Sequence, residues 1–282
     1  MLLLAWTWAS LAVLLPTTAA ATTVRMVTVL GPVDIELYDA QAPQTVANFL
    51  GYVRRGDYDN MFFHRLVKGF VLQGGGFAVP SYGPIPTAPP VVNEFSSARS
   101  NLRGTVAMAK LPDLPDSATS QWFVNLANNS GNLDNQNGGF TVFGRVRAPG
   151  MVVVDAIAAL RVVNAGGSFN TLPILQLPAS GTLGAADLVV VSSARELPVG
   201  AGTPDHVRIF NYLEAAYPQF AAPASQPEQQ WEGYTYRYYP RTNAYAGVRD
   251  GVVWYLVPAL GSEIGALGTV ADWLAIAAAA GY

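Results

Sequence analysis

Residues 63–76 read Phe63-His64-Arg65-Leu66-Val67-Lys68-Gly69-Phe70-Val71-Leu72-Gln73-Gly74-Gly75-Gly76. The apolar runs around Phe62–Leu66 and Phe70–Gln73 read as short strands. Arg65 and Phe70 bracket the short loop between them. Gln73 precedes three glycines, which let the backbone turn sharply because no Cβ restricts φ. No Lys-Ser or Lys-Thr pair follows, so this is not a phosphate-binding loop.

Downstream, Gly104–Ala109, Trp122–Asn125 and Phe140–Val146 read as further short strands, and Asp187–Ser192 as the last. Upstream, residues 22–29 and Val33–Tyr38 are strand-like, with Gly31-Pro32 expected to make the turn between them. A helix follows. Pro43 suits its first turn, where a missing N–H costs nothing. Val46, Phe49, Leu50 and Val53 share one face, and Gly56 suits the C-terminal cap. A second helix is expected over about Met151–Leu160. Many short strands with two helices point to a closed β-barrel with helical covers.

Taken singly, Arg65 reads as a surface ion-pair residue and Phe70, Phe123 and Phe140 as ordinary core. In this order, joined by Ser120-Gln121-Trp122-Phe123-Val124, Asn132-Leu133-Asp134 and the closing Phe140-Thr141-Val142-Phe143-Gly144-Arg145-Val146, they resemble the cyclophilin family of peptidyl-prolyl cis–trans isomerases. The resemblance runs from about Thr23 to Ile157 and continues more weakly to Leu197. It implies a mainly β fold, a closed eight-stranded antiparallel barrel capped by two helices, with a substrate groove on its outer surface. By motif position Arg65 looks like the catalytic arginine, with Gln73 orienting it. Phe70, Val71, Phe123, Leu133 and Phe140 would line a proline pocket, and Ala109 and Gln121 would contact the residues before proline. The implied substrates are proline-containing polypeptides, and no cofactor is implied. Asn132 and Phe140 stand where the best-known eukaryotic members have Trp and His. Lys110–Thr119 lacks the family's usual glycine and asparagine, and the proline-rich loop Phe77–Pro90 is placed to extend or obstruct the groove.

Composition agrees. Of 282 residues 51% are hydrophobic and only 12% charged, which excludes intrinsic disorder. A net charge of −3 supplies no basic field for nucleic acid. Cysteine is absent and the only histidines are His64 and His206, which disfavours a thiol nucleophile or a histidine-rich metal centre. A hydrolytic site has no His or Cys constellation to support it, and Asp113 and Asp116 read as a solvated loop.

Residues 1–21 read as a secretory signal. The apolar run Leu2–Leu15 is 14 residues long, below the ~20 of a membrane span. Pro16 and small residues follow, with an Ala-x-Ala-like site near Ala21. An uncleaved anchor is the alternative, and the only route to a membrane contact. The expected location is exported, periplasmic or secreted, and the resemblance is to a bacterial, exported member of the family. The expected organisation is a signal over 1–21, an isomerase domain over 22–197, a linker over 198–204 and a small α+β module over 205–282. Nine of the 13 tyrosines lie from Tyr212 onward. In that module Asp205 would cap a helix with Val207, Phe210, Leu213 and Tyr217 on one face, ended by Pro218. Asp250-Gly251 is a hairpin turn, and a last helix covers about 269–280. The Tyr-rich faces pack on the two helices, or else Tyr234, Tyr236 and Tyr238 bind a protein or glycan. The leading function is an exported isomerase assisting protein folding; the alternative is a non-catalytic binder of proline motifs in the same groove.

Overall fold

The computed structural model describes residues 21–198, 203–221, 226–261 and 263–282. Apart from Ala21, the segment read as a secretory signal lies outside the described residues, as do residues 199–202 of the expected linker.

Strands β1 (Thr23–Thr28) and β2 (Gly31–Leu37) pair as a hairpin. Its turn is at Val29-Leu30, so Gly31 and Pro32 open the second strand instead of making the turn. Helix α1 (Pro43–Arg55) buries the expected face and ends on Gly56, whose φ of 73° is left-handed and whose N–H reaches the carbonyls of Tyr52 and Val53. There follow β3 (Met61–Phe62), β4 (Arg65–Val67), β5 (Val71–Gly74), β6 (Thr105–Met108) and β7 (Trp122–Asn125). After them come the single turn α2 (Ser130–Leu133), β8 (Val142–Val146), α3 (Ala148–Ala159), β9 (Arg161–Val163), β10 (Leu172–Ile174) and β11 (Val190–Leu197).

Nine of these strands form one antiparallel sheet in the order β3-β11-β1-β2-β8-β6-β7-β5-β4, while β9 and β10 pair separately. Where a closed eight-stranded barrel is expected, the structure shows a curled sheet whose end strands β3 and β4 share no ladder. The single strand expected at Phe62–Leu66 is split, because Phe63 donates its N–H to Val189 (3.1 Å) and His64 donates to Gln73 (3.2 Å), stepping from one edge to the other. The concave side is filled by Val24, Met26, Ile35, Leu66, Leu72, Val106 and Val124. Helix α1 closes that core, with Phe49 against Tyr58, Trp122 and Phe143 at centroid distances of 5.0–6.1 Å.

The remaining elements are α4 (Asp205–Ala216), β12 (Glu228–Trp231), β13 (Tyr234–Tyr239), β14 (Ala244–Arg249), β15 (Val252–Leu256), β16 (Gly265–Thr269) and α5 (Val270–Ala279). The five strands form an antiparallel meander in sequence order. Pro204, not Asp205, is the N-cap of α4; Asp205 opens its first turn, where a negative charge suits the helix dipole. The inner face of the meander packs Tyr239, Ala246 and Val253 on Phe210 of α4 and Trp273 of α5. Alternation sends Tyr234 and Tyr236 to the other face, where with Tyr245, Gly247 and Trp254 they outline a hollow of about 320 Å³. Packing of the tyrosines on the helices therefore holds for Tyr239 and is corrected for Tyr234, Tyr236 and Tyr238.

The two sheets meet at a buried charge network. Arg25 on β1 is fully buried and donates to Asp34 on β2 (2.7 Å), to Glu214 on α4 (2.5 Å) and to the Asn211 carbonyl (2.6 Å). Glu214 also accepts from Arg237 on β13 (2.9 Å), and the Tyr282 hydroxyl donates to Asp34. Burial opposes the Arg25 charge, but the Asp34 and Glu214 carboxylates outweigh it and hold its pKa above the ordinary arginine value. Glu214→Ala would leave two guanidiniums short of a carboxylate in a dry site, and breaking such a pair costs about 3–5 kcal/mol. Urea denaturation of the variant should show a loss of that size, and a loss below about 1 kcal/mol would mean the network contributes little.

Candidate functional site

The site follows from the two-residue period of the strands. In the rows running across β4, β5, β7 and β6, Leu66, Leu72, Val124 and Val106 face the core. Their neighbours Arg65, Gln73, Phe123 and Ala107 fall on the opposite, convex face, because Arg65 pairs with Gln73, Gln73 with Phe123, and Phe123 with Ala107. Residues at three separate points of the chain thus become one outward row.

A second, smaller apolar cluster sits on that face: Val71, Ala107, Phe123, Leu133 and Val142, flanked by Phe70, Ala109 and Phe140. Val71, Phe123 and Leu133 of this cluster, with the flanking Phe70, Ala109 and Phe140, line a hollow of about 220 Å³ together with Arg65, Gln73, Lys110 and Gln136. Eight of the nine sequence-derived site residues converge there: Arg65, Phe70, Val71, Gln73, Ala109, Phe123, Leu133 and Phe140. The ninth, Gln121, lies beside it and lines an adjoining hollow of about 620 Å³ that shares Gln73, Ala109 and Lys110. Of the loop Phe77–Pro90 only Pro90 reaches this adjoining hollow, and none of it enters the smaller one, so the loop extends the groove and does not plug it.

Arg65 is half-buried and makes no ion pair among the described residues. Its Nη1 reaches Gln73 Oε1 at 3.4 Å, and Gln73 Nε2 donates to Gln121 Oε1 at 2.8 Å. Desolvation alone lowers its pKa, the mark of a guanidinium short of water and of counter-charge. Phe123 and Phe140 meet edge to face at 5.9 Å as a rigid wall. Such a site can hold a small apolar ring in a dry pocket and offer it a charged N–H donor. Among the described residues no group of three His, Asp or Glu side chains could hold a metal ion.

Two glycines around the site are needed where they stand. Gly75 has φ +75°, and a Cβ there would come within 2.4 Å of the Ser120 carbonyl oxygen. Gly139 has φ +74°, and its Cβ would enter the Phe95 ring at 2.3 Å.

Sequence reasoning passed over an asparagine relay behind the pocket. Asn129 donates to the Phe70 carbonyl (2.8 Å) and to Asn125 (2.7 Å), Asn125 to Asn101 (3.1 Å), and Asn101 to the Phe140 carbonyl (3.0 Å). It ties the two aromatic walls to one buried scaffold. Three asparagines spread over residues 101–129 carry no local signal of this. Lys110 and Gln136 were also passed over, although Lys110 directly follows Ala109.

A family model described as cyclophilin-type peptidyl-prolyl cis-trans isomerase/CLD matches residues 23–177. A peptidyl-prolyl cis-trans isomerase of Acinetobacter baylyi is 46% identical over 140 residues, 49% of this chain and 73% of that one. Peptidyl-prolyl cis-trans isomerase B of Escherichia coli is 42% identical over 140 residues, 48% of this chain and 84% of that one. A crystal structure of a cyclophilin-type isomerase from Cryptosporidium parvum, determined in the presence of the dipeptide Ala-Pro, aligns with a TM-score of 0.47 at 22% identity, over 63% of this chain and 99% of that one.

His64, beside Arg65 but facing inward, is buried against Phe77 at 5.0 Å. Burial pushes its pKa from 6.5 down to about 4, the nearby Arg65 charge adds to this, and contact with the Gln121 side chain opposes it. The folded state thus resists protonation that the unfolded chain accepts. Stability is full above pH 6.5 and falls as pH drops from 6.5 to 4, by about 3 kcal/mol in all. Urea midpoints across that window should fall for the wild type and change less for His64→Gln.

Proposed function

The chain belongs to the cyclophilin-type peptidyl-prolyl cis–trans isomerase family, and from that membership we propose that the hollow beside Arg65 is where an X–Pro bond is turned. The protein is a peptidyl-prolyl cis–trans isomerase; what is proposed is the assignment of roles to its residues. One observation carries that assignment: a half-buried guanidinium with no carboxylate partner among the described residues faces a pocket walled by Phe70, Phe123 and Phe140.

Rotation about a peptide bond costs ~18–20 kcal/mol because conjugation is lost, and unassisted X–Pro exchange takes ~10–100 s. No bond breaks, so the reaction calls for neither nucleophile nor metal. In the twisted state the proline nitrogen recovers a lone pair. Arg65 donates an N–H to that nitrogen while remaining charged. The acceptor exists only in the twisted state, so the contact favours the transition state over either planar isomer. Gln73 holds the guanidinium from behind, and the Gln121 amide holds Gln73. The Phe123–Phe140 wall grips the ring and keeps water from weakening the electrostatics. Ala109 and Gln121 lie where the residues before proline leave the pocket, toward the larger hollow.

We read the curled sheet as a barrel whose seam is spanned by Phe63 and His64, residues 22–197 as the isomerase unit, 198–204 as a linker and 205–282 as a second unit with its own core. The apolar run Leu2–Leu15 with the small residues after Pro16 supports export, so that the clients would be proline-containing polypeptides outside the cytoplasm.

Arg65→Ala should lower kcat/KM for a cis-proline peptide about 10²–10³-fold, the ~2.7–4 kcal/mol lost with one such donor, without loss of the folded signal in circular dichroism. Equal rates for the two proteins would overturn Arg65 as the catalytic group, and peptide binding without catalysed exchange in the wild type would favour a non-catalytic binder. For export, mass spectrometry of protein processed in cells should place the mature N-terminus near Thr22; an intact N-terminus on soluble cytoplasmic protein would overturn that reading.

A further inference from the structure

The proline hollow and the larger hollow beside it share three residues, Gln73, Ala109 and Lys110. Only one of the three is charged, and its ammonium is held in place. Lys110 Nζ donates to the carbonyls of Asn137 and Gly139, both at 2.7 Å, and lies 4.7 Å from the centroid of the Phe140 ring. An ammonium has three donors, so one remains for a ligand. Lys110 forms no ion pair among the described residues. Partial burial lowers its pKa and the Asp116 charge opposes that, so the ammonium is short of water and a carboxylate from a ligand would relieve it.

The charges around it have a definite order. Among the residues lining the proline hollow the charged ones are Arg65 and Lys110, both positive. Asp116 lines only the larger hollow, and its Oδ1 accepts the Asn93 N–H at 2.8 Å. A basic side chain close to the proline therefore meets two cations before it can reach Asp116. An acidic one meets an ammonium fixed by two carbonyls and a ring, and little side-chain freedom is left to lose on contact.

We propose that Lys110 is a specificity-determining residue that favours substrates with an acidic side chain within two residues on the N-terminal side of the proline. This rests on the reading of the Arg65 hollow as the isomerase site. Lys110 acts on the choice of substrate, while Arg65 acts on the turning bond.

The test is catalysed cis–trans exchange, measured by two-dimensional exchange NMR at low salt. The peptides are Ala-Xaa-Pro-Phe and Xaa-Ala-Pro-Phe with Xaa = Glu, Ala or Lys. At the better-discriminating position kcat/KM for Glu should exceed that for Lys about tenfold, and added salt should reduce the ratio as screening weakens the contact. Lys110→Gln should bring the ratio to about one, and Lys110→Arg should retain it, because the guanidinium keeps the charge. The ratio is read within one preparation, so a partial loss of folded protein cancels from it. A wild-type ratio within about twofold of unity, or a ratio that persists in Lys110→Gln, would overturn the proposal while the isomerase site stands. Failure of the wild type to accelerate exchange in any peptide would overturn the isomerase site and this proposal together.

Discussion

The alternation of side chains across β4, β5, β7 and β6 is the constraint on which the site depends. One register sends Leu66, Leu72, Val106 and Val124 into the core and Arg65, Gln73, Phe123 and Ala107 to the convex face. A slip of one residue in any of these pairings would exchange the two sets, burying a guanidinium and an amide while exposing leucine and valine. Core burial thus enforces the geometry of a site that lies outside the core. The ordering energy of the pocket is supplied by the apolar face on its other side.

The pocket itself shows how a surface site is made dry and stiff without being buried in the domain. Its floor is small and aliphatic, and its walls are phenyl rings whose backbone carbonyls are held by the relay Asn129–Asn125–Asn101. Gly75 and Gly139 bring the backbone close to Ser120 and Phe95, where no side chain could fit. Among the described residues Arg65 is left without a carboxylate in this setting. A surface arginine usually pairs with an acid, and such a pair contributes little to stability. Here the absent counter-charge keeps the donor available, at the expense of the desolvation that lowers its pKa.

Where β1 and β2 meet α4 the physics runs the other way. Arg25 and Arg237 are buried and paired through Glu214, with Asp34 completing the set. In buried pairs of this kind desolvation takes back much of the attraction. Joining β1 and β2 to α4 and β13, the network fixes how the meander and its helices sit on the larger sheet. The chain from 205 onward is thus attached to the larger sheet by buried side chains.

Much of this was legible in the sequence. Helix α1 was fixed by Pro43, the Val46–Phe49–Leu50–Val53 face and Gly56, all local signals, and the order of Arg65, Phe70, Gln73, Gln121, Phe123 and Leu133 marked residues that the fold brings to two adjoining hollows. Other features were not legible because no local property encodes them. The split of Phe62–Leu66 into β3 and β4 depends on two partner strands far apart in the chain. Tyr239 and Tyr236 differ in environment only through the face on which the meander meets its helices. The asparagine relay, the placement of Lys110 between two hollows and the pairing of Arg25 with Glu214, 189 residues away, exist only once the strands are in register. Short-range periodicity determined which residues face inward, since it is a property of consecutive backbone units. Which inward and outward faces meet was decided by tertiary structure alone, since it depends on contacts between segments that the chain connects only through long loops.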